Sequence, residues 1–177
     1  MKELQILIAD DHEMVREVIK YLLLEAFPKA VYGEAGTGAE AVALVGGMHW
    51  DVLVLDIQMP GGNGLEVLQT LYRKQPDLPV LVVSGYPEDE MAMRALEAGA
   101  AGYLTKDTIS KSIVPGVKEV LAGRKFISGT MGEKMAAALA RTVVKPSGNK
   151  VGRAGRLRSR IGKETMAKQG RGKRKQD

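Results

Sequence analysis

Short apolar runs alternate with longer amphipathic stretches along residues 1–125. The runs are Leu4–Ala9, Ala30–Glu34, Asp51–Leu55, Pro79–Val83 and Ala101–Leu104. The first, third and fourth are dominated by Val, Ile and Leu, a composition that suits strands covered on both faces of a parallel sheet. Between the runs the period lengthens. Met14, Val15, Val18, Ile19, Leu22 and Leu23 recur at steps of three and four, with Arg16, Glu17 and Lys20 on the other side, and predict a first helix. Leu65, Leu68, Leu71 and Tyr72 predict the third helix in the same way. Ile109, Ile113, Val117, Val120 and Leu121 predict the fifth, with Gly123 as its C-cap. Strand–helix pairs in this order close by right-handed crossovers into a doubly wound α/β sheet. Such sheets bind ligands beyond the carboxyl ends of their strands.

The pattern fades after residue 125. Phe126-Ile127-Ser128 leads into an Ala-rich segment, Met135–Arg141, so 126–142 reads as a linker helix. Beyond Val144 only Val151, Leu157, Ile161 and Met166 are large and apolar. That is too little to offset the cost of ordering the chain, and 143–177 is expected to be disordered in isolation. Charge sharpens this boundary. The net +5 divides into −5 for residues 1–142, with 14 Lys/Arg against 19 Asp/Glu, and +10 for residues 143–177, with 12 against 2. An acidic globular part therefore precedes a basic tail.

Composition removes several classes of function. There is no cysteine, which excludes disulfide frameworks and thiolate metal sites. No apolar run approaches the roughly 18 to 20 residues that span a bilayer. Met1-Lys2-Glu3-Leu4 has no signal-peptide core. The expectation is a cytoplasmic protein without membrane contact.

The strands end in polar chemistry. The first runs into Asp10-Asp11, the third into Asp56, the fourth into Ser84 and the fifth into Thr105-Lys106. Neighbouring strands lie about 5 Å apart, so these side chains would converge on one edge. Like charges 4 Å apart cost roughly 4 kcal/mol at an effective dielectric near 20, a penalty that a hard divalent cation removes. Lys106 adds a point charge suited to a phosphoryl group. Metal, ammonium and carboxylate nucleophile together make a phosphoryl-transfer site.

These residues resemble a family. Ile8-Ala9-Asp10-Asp11-His12, Val54-Leu55-Asp56-Ile57-Gln58-Met59-Pro60, Asn63-Gly64-Leu65-Glu66, Val83-Ser84-Gly85-Tyr86 and the segment from Ala98 to Asp107 are similar, in order, to receiver domains of two-component response regulators, particularly the NarL/FixJ type. The resemblance covers residues 1–125. It implies a flavodoxin-like doubly wound five-stranded parallel sheet in the order 2-1-3-4-5 with five helices, followed here by a C-terminal helix and basic tail. It also implies that Asp56 takes a phosphoryl group from a sensor histidine kinase. Asp11 and Asp56 would bind Mg²⁺ directly, with the backbone carbonyl of Gln58, and Asp10 through water. Ser84 would hydrogen-bond the phosphoryl group, Lys106 would pair with one of its oxygens, and Tyr103 would change rotamer as the aromatic switch. Lys106-Asp107 departs from the Lys-Pro common in other receivers and resembles the NarL/FixJ pattern. The implied role is signalling rather than catalysis of turnover.

Two other readings share some of these residues. Gly36-Thr37-Gly38-Ala39-Glu40-Ala41 after a strand, with Asp56 ending the next one, imitates a dinucleotide fingerprint. It leaves Asp10, Asp11, Ser84 and Lys106 unexplained. An aspartyl-phosphate hydrolase needs a second acid two residues beyond the nucleophile, where this chain has Gln58. His12 and His49 read as surface or helix-capping residues rather than metal ligands. Met91 and Met93 read as packing along the fourth helix, which many receivers use for dimer or partner contacts, and the reading admits a homodimer.

NarL/FixJ-type proteins continue through a linker helix into a helix-turn-helix domain, and residues 143–177 do not resemble one. Three explanations account for that segment: a basic arm that contacts nucleic-acid phosphates without reading bases, a docking tail that folds on a partner, or the product of a displaced reading frame or truncation.

Overall fold

The computed structural model describes residues 3–129 and 132–134. Six parallel strands form one sheet, β1 (Gln5–Ala9), β2 (Val31–Ala35), β3 (Val52–Asp56), β4 (Val80–Ser84), β5 (Gly102–Thr105) and β6 (Phe126–Ile127). Their order is β2-β1-β3-β4-β5-β6. The expected order 2-1-3-4-5 holds, and a two-residue strand extends the sheet past β5. Five helices alternate with the strands: α1 (Glu13–Ala26), α2 (Gly38–Gly47), α3 (Gly64–Lys74), α4 (Glu88–Glu97) and α5 (Ile109–Leu121). A single 3₁₀ turn, Lys106–Thr108, precedes α5.

The sheet is covered on both sides, which is why β3 and β4 are buried at every position. Alternate side chains enter opposite cores. Leu7, Leu53, Leu55 and Val82 pack with Ala41 and Val45 of α2, Leu68 and Leu71 of α3, and Ala92 and Ala95 of α4. Ile6, Ile8, Val54 and Leu81 face the other way, onto Ile19 and Leu23 of α1 and Ile113, Val117 and Val120 of α5. Each buried branched side chain contributes about 1.5–3 kcal/mol.

At the amino ends of the strands, Trp50 is buried just ahead of β3, and its indole N–H donates to the Leu44 carbonyl at 3.1 Å. Its ring lies against Gly33 of β2, where any Cβ would collide with it. Gly33 is thus a strand glycine that admits a neighbour.

The Gly36–Gly38 loop closes as a capping box. Thr37 Oγ1 accepts from the Glu40 N–H at 3.1 Å, and Glu40 Oε2 accepts from the Gly36 N–H at 2.8 Å. Within the expected linker helix, Phe126–Ile127 pairs with β5 instead, residues 132–134 are helical, and residues 135–177 lie outside the described residues. Among the described residues, no helix is long and apolar enough to cross a membrane.

Candidate functional site

Asp10, Asp56, Ser84 and Lys106 meet at the carboxyl edge of the sheet, because β1, β3, β4 and β5 are consecutive in it and all four strands point the same way. Asp56 is the last residue of β3 and is 1% exposed. Its Oδ1 accepts from the Gln58 N–H at 2.7 Å, and its Oδ2 accepts from Lys106 Nζ at 2.8 Å. Burial pushes the Asp56 carboxyl above the ordinary range, against the pull of Lys106 and the Gln58 N–H, and the Asp10 charge adds to the rise. Burial draws Lys106 down, but its hydrogen bond to Asp56 and the pull of the Asp10 carboxylate outweigh that and hold it above the usual lysine value.

Asp10 is equally enclosed. Its Oδ1 accepts from the His12 N–H at 2.8 Å, and its Oδ2 lies 2.9 Å from Lys106 Nζ. That second contact is an ion pair outside hydrogen-bond geometry, so Asp10 Oδ2 keeps no hydrogen-bond partner, and neither does Asp11 Oδ1. Arg16 anchors the turn: Nη1 donates to the Asp10 carbonyl at 2.8 Å, and Nε to Glu34 Oε2 at 3.0 Å. Hydrogen bonds from Lys20 and Arg16 hold the Glu34 carboxyl below its usual value.

Ligand atoms of Asp10, Asp11, His12 and Asp56 lie within 4.8 Å of one another. Three carboxylates, with two buried oxygens that make no hydrogen bond, fit a hard cation with oxygen ligands, and Mg²⁺ suits that donor set. His12 stands at the N-cap position of α1 with an exposed side chain, in keeping with the surface-or-capping reading; that side chain makes no cap bond, and Nδ1 turns toward Asp10 Oδ1 at 3.2 Å and Asp11 Oδ1 at 3.0 Å. His49 pairs with Asp51 at 2.9 Å, away from this cluster.

Ser84 and Tyr103 continue the site along β4 and β5. Ser84 is fully buried, and its Oγ accepts from the Tyr86 N–H at 3.1 Å. The Tyr103 ring is fully buried as well, and its hydroxyl donates to the Tyr86 carbonyl at 2.7 Å. Burial raises the Tyr103 phenol above its ordinary value. A cavity of about 270 Å³ opens beside Asp56, between the α2 N-terminus and the Met59–Gly62 loop.

The contacts of Gln58, Arg16 and Ser128 were not foreseen. Ser128 is 3% exposed, and its N–H donates to the Tyr103 carbonyl at 3.0 Å. Its hydroxyl donates to Glu88 Oε1 at 3.0 Å and accepts from the Thr105 N–H at 3.3 Å. A serine in a presumed linker gives no sequence signal for this; only pairing of β6 with β5 brings it inside.

The fold is a doubly wound parallel sheet that gathers acids, a hydroxyl and a lysine at one edge. Residues 6–118 match the response regulator receiver domain family, and the chain belongs to it. Its relatives are of the NarL/FixJ type. Response regulator GacA of Pseudomonas aeruginosa is 36% identical over 133 residues, covering 75% of this chain and 62% of that protein. The DNA-binding transcriptional activator DevR/DosR of Mycobacterium tuberculosis is 38% identical over 135 residues, covering 76% and 62%. A LuxR-family two-component response regulator from an Aurantimonas species superposes with a TM-score of 0.66 at 30% identity, covering 81% of this chain and all of that one. The chain spans about 62% of the length of the curated relatives it matches.

Proposed function

We propose that Asp56 is the phosphoryl acceptor of this receiver domain and that a sensor histidine kinase is the donor. The observation that carries this reading is the Asp56 carboxylate itself, held at the end of β3 between Lys106 Nζ and the Gln58 N–H beside the Asp10 and Asp11 carboxylates. A carboxylate oxygen of Asp56 attacks phosphorus, the phosphorus–nitrogen bond of the donor phosphohistidine breaks, and its electron pair returns to the imidazole. Lys106, already between Asp56 and Asp10, turns to an oxygen of the new group. Asp11, Asp56 and the Gln58 carbonyl would hold Mg²⁺, with Asp10 behind water, and the ion would offset charge on the phosphoryl oxygens.

The group brings close to two negative charges into an edge where Ser84 is buried. Drawing the Ser84 hydroxyl toward it loosens the Tyr86 N–H, and Tyr86 is the residue that holds the Tyr103 hydroxyl. The two arrangements form a bistable element that phosphorylation biases. Uptake from acetyl phosphate with Mg²⁺, followed by intact-mass measurement, tests the assignment. Asp56→Asn abolishes uptake; full stoichiometry in that variant would sink it.

The +10 charge of residues 143–177 supports a second contact, with nucleic-acid phosphates. DNA binding with a steep salt dependence, lost on deletion of 143–177, is the expected result.

A further inference from the structure

The side chain of Gln58 reaches from the β3–α3 loop to the β4–α4 loop. Its Oε1 accepts from the Gly85 N–H at 2.5 Å and, at a longer 3.4 Å, from the Ser84 hydroxyl. Two donors converge on that atom, so it is the carbonyl oxygen of the carboxamide rather than its nitrogen. The approach is close: a Cβ on residue 85 would lie 2.7 Å from the same oxygen, so a side chain there would push the carboxamide aside.

These two donors sit beside Asp56. Ser84 follows Val83, the residue in register with Asp56 on the adjoining strand, and Gly85 follows Ser84. A phosphoryl group on Asp56 would carry oxygens toward the same hydroxyl and N–H. From these contacts we infer that the Gln58 carboxamide is a built-in plug: its oxygen holds the place of a phosphoryl oxygen on Ser84 and Gly85 and must leave before those donors can bind the phosphoryl group. Gln58 is thereby a positioning residue that sets how readily the site accepts its charge. This rests on the reading of Asp56 as phosphoryl acceptor.

The side chain is exposed, so its displacement into water costs little beyond its two hydrogen bonds. The weak geometry of the Ser84 bond leaves the plug held by about one good hydrogen bond. Apparent affinity for a phosphoryl mimic falls in proportion to the fraction of molecules with free donors, so removing the plug raises it by roughly 3- to 15-fold.

The test uses the full chain with saturating Mg²⁺ and beryllofluoride as the phosphoryl mimic, followed by titration calorimetry. Gln58→Ala is expected to tighten beryllofluoride binding by that factor. Gln58→Met, which keeps the length and removes the acceptor, does the same. Gln58→Glu places a negative oxygen on the donors and weakens binding at least as much. Mg²⁺ affinity without beryllofluoride is measured for each variant in parallel, and the change in beryllofluoride affinity is expected to exceed any change in Mg²⁺ affinity in Gln58→Ala and Gln58→Met. Wild-type affinity in both Gln58→Ala and Gln58→Met overturns the plug while leaving Asp56 as acceptor. A change in Mg²⁺ affinity equal to the change in beryllofluoride affinity also overturns it, because the effect then belongs to the metal. A wild-type chain that takes no beryllofluoride at all defeats the plug and the acceptor assignment together.

Discussion

Lys106 Nζ lies 2.8 Å from Asp56 Oδ2 while also standing 2.9 Å from Asp10 Oδ2, so one ammonium serves two buried carboxylates. Removing it leaves both without a cation. The Lys106 side chain is about a quarter exposed, at 24%, so the cost is smaller than for a sealed pair. Lys106→Met is expected to lose about 2 kcal/mol in metal-free urea unfolding at neutral pH. Saturating Mg²⁺ returns much of it, since the ion takes over the neutralising role. An equal loss with and without Mg²⁺ would contradict this account.

Asp56 carries a pH signature with a definite sign. Its carboxyl is raised in the fold, chiefly by burial, so between the ordinary value and the folded value the native state binds more protons than the unfolded one. Stability contributed by this group therefore falls as pH rises through that window, and the penalty is complete above it. Asp56→Asn lacks the penalty. Its thermal stability relative to wild type is expected to rise as pH climbs from 3.5 to 7 in chelator, being higher than wild type at pH 7. A constant offset across that range would argue that lost packing, not charge, separates the two proteins.

Ser128 joins the chain beyond α5 to the rest of the sheet. Ser128→Ala strands the Thr105 N–H and frees Glu88 Oε1. The expected loss is about 1–2 kcal/mol in chemical denaturation. Amide exchange should quicken at Thr105 and Phe126–Ile127 first, because β6 has two residues and little else to hold it. Unchanged protection at those amides would show that the hydroxyl is dispensable.

Gly33→Ala drives a methyl group into the Trp50 ring. Overpacking of this kind costs about 1–3 kcal/mol, readable as a lower melting temperature. The companion change Trp50→Phe, in the same chain, should recover part of it by making room.

Most of the acidic edge was legible from residues alone. Asp10, Asp56, Ser84 and Lys106 each end an apolar run, and parallel order brings strand ends together without further information. Asp11 was read with them, but His12 was harder. Its approach to the acids follows from the turn that Arg16 holds on the Asp10 carbonyl, a contact between α1 and the end of β1 that periodicity does not encode. β6 was illegible because two residues cannot display a period, and the burial of Ser128 is a consequence of that pairing. The Gln58 carboxamide escaped for a different reason. Family resemblance assigned its backbone carbonyl, while the side chain's partners depend on how two loops approach each other.

Trp50 is the chain's one indole and lies buried six residues ahead of Asp56, about 20 Å away along β3 at roughly 3.3 Å per residue. Its fluorescence, excited at the red edge where tyrosine is dark, is therefore an optical gauge of whether the sheet is intact. It stays blind to ions and phosphoryl groups at the opposite end. A titration that leaves the emission maximum in place has reported on chemistry alone; one that shifts it has opened the protein.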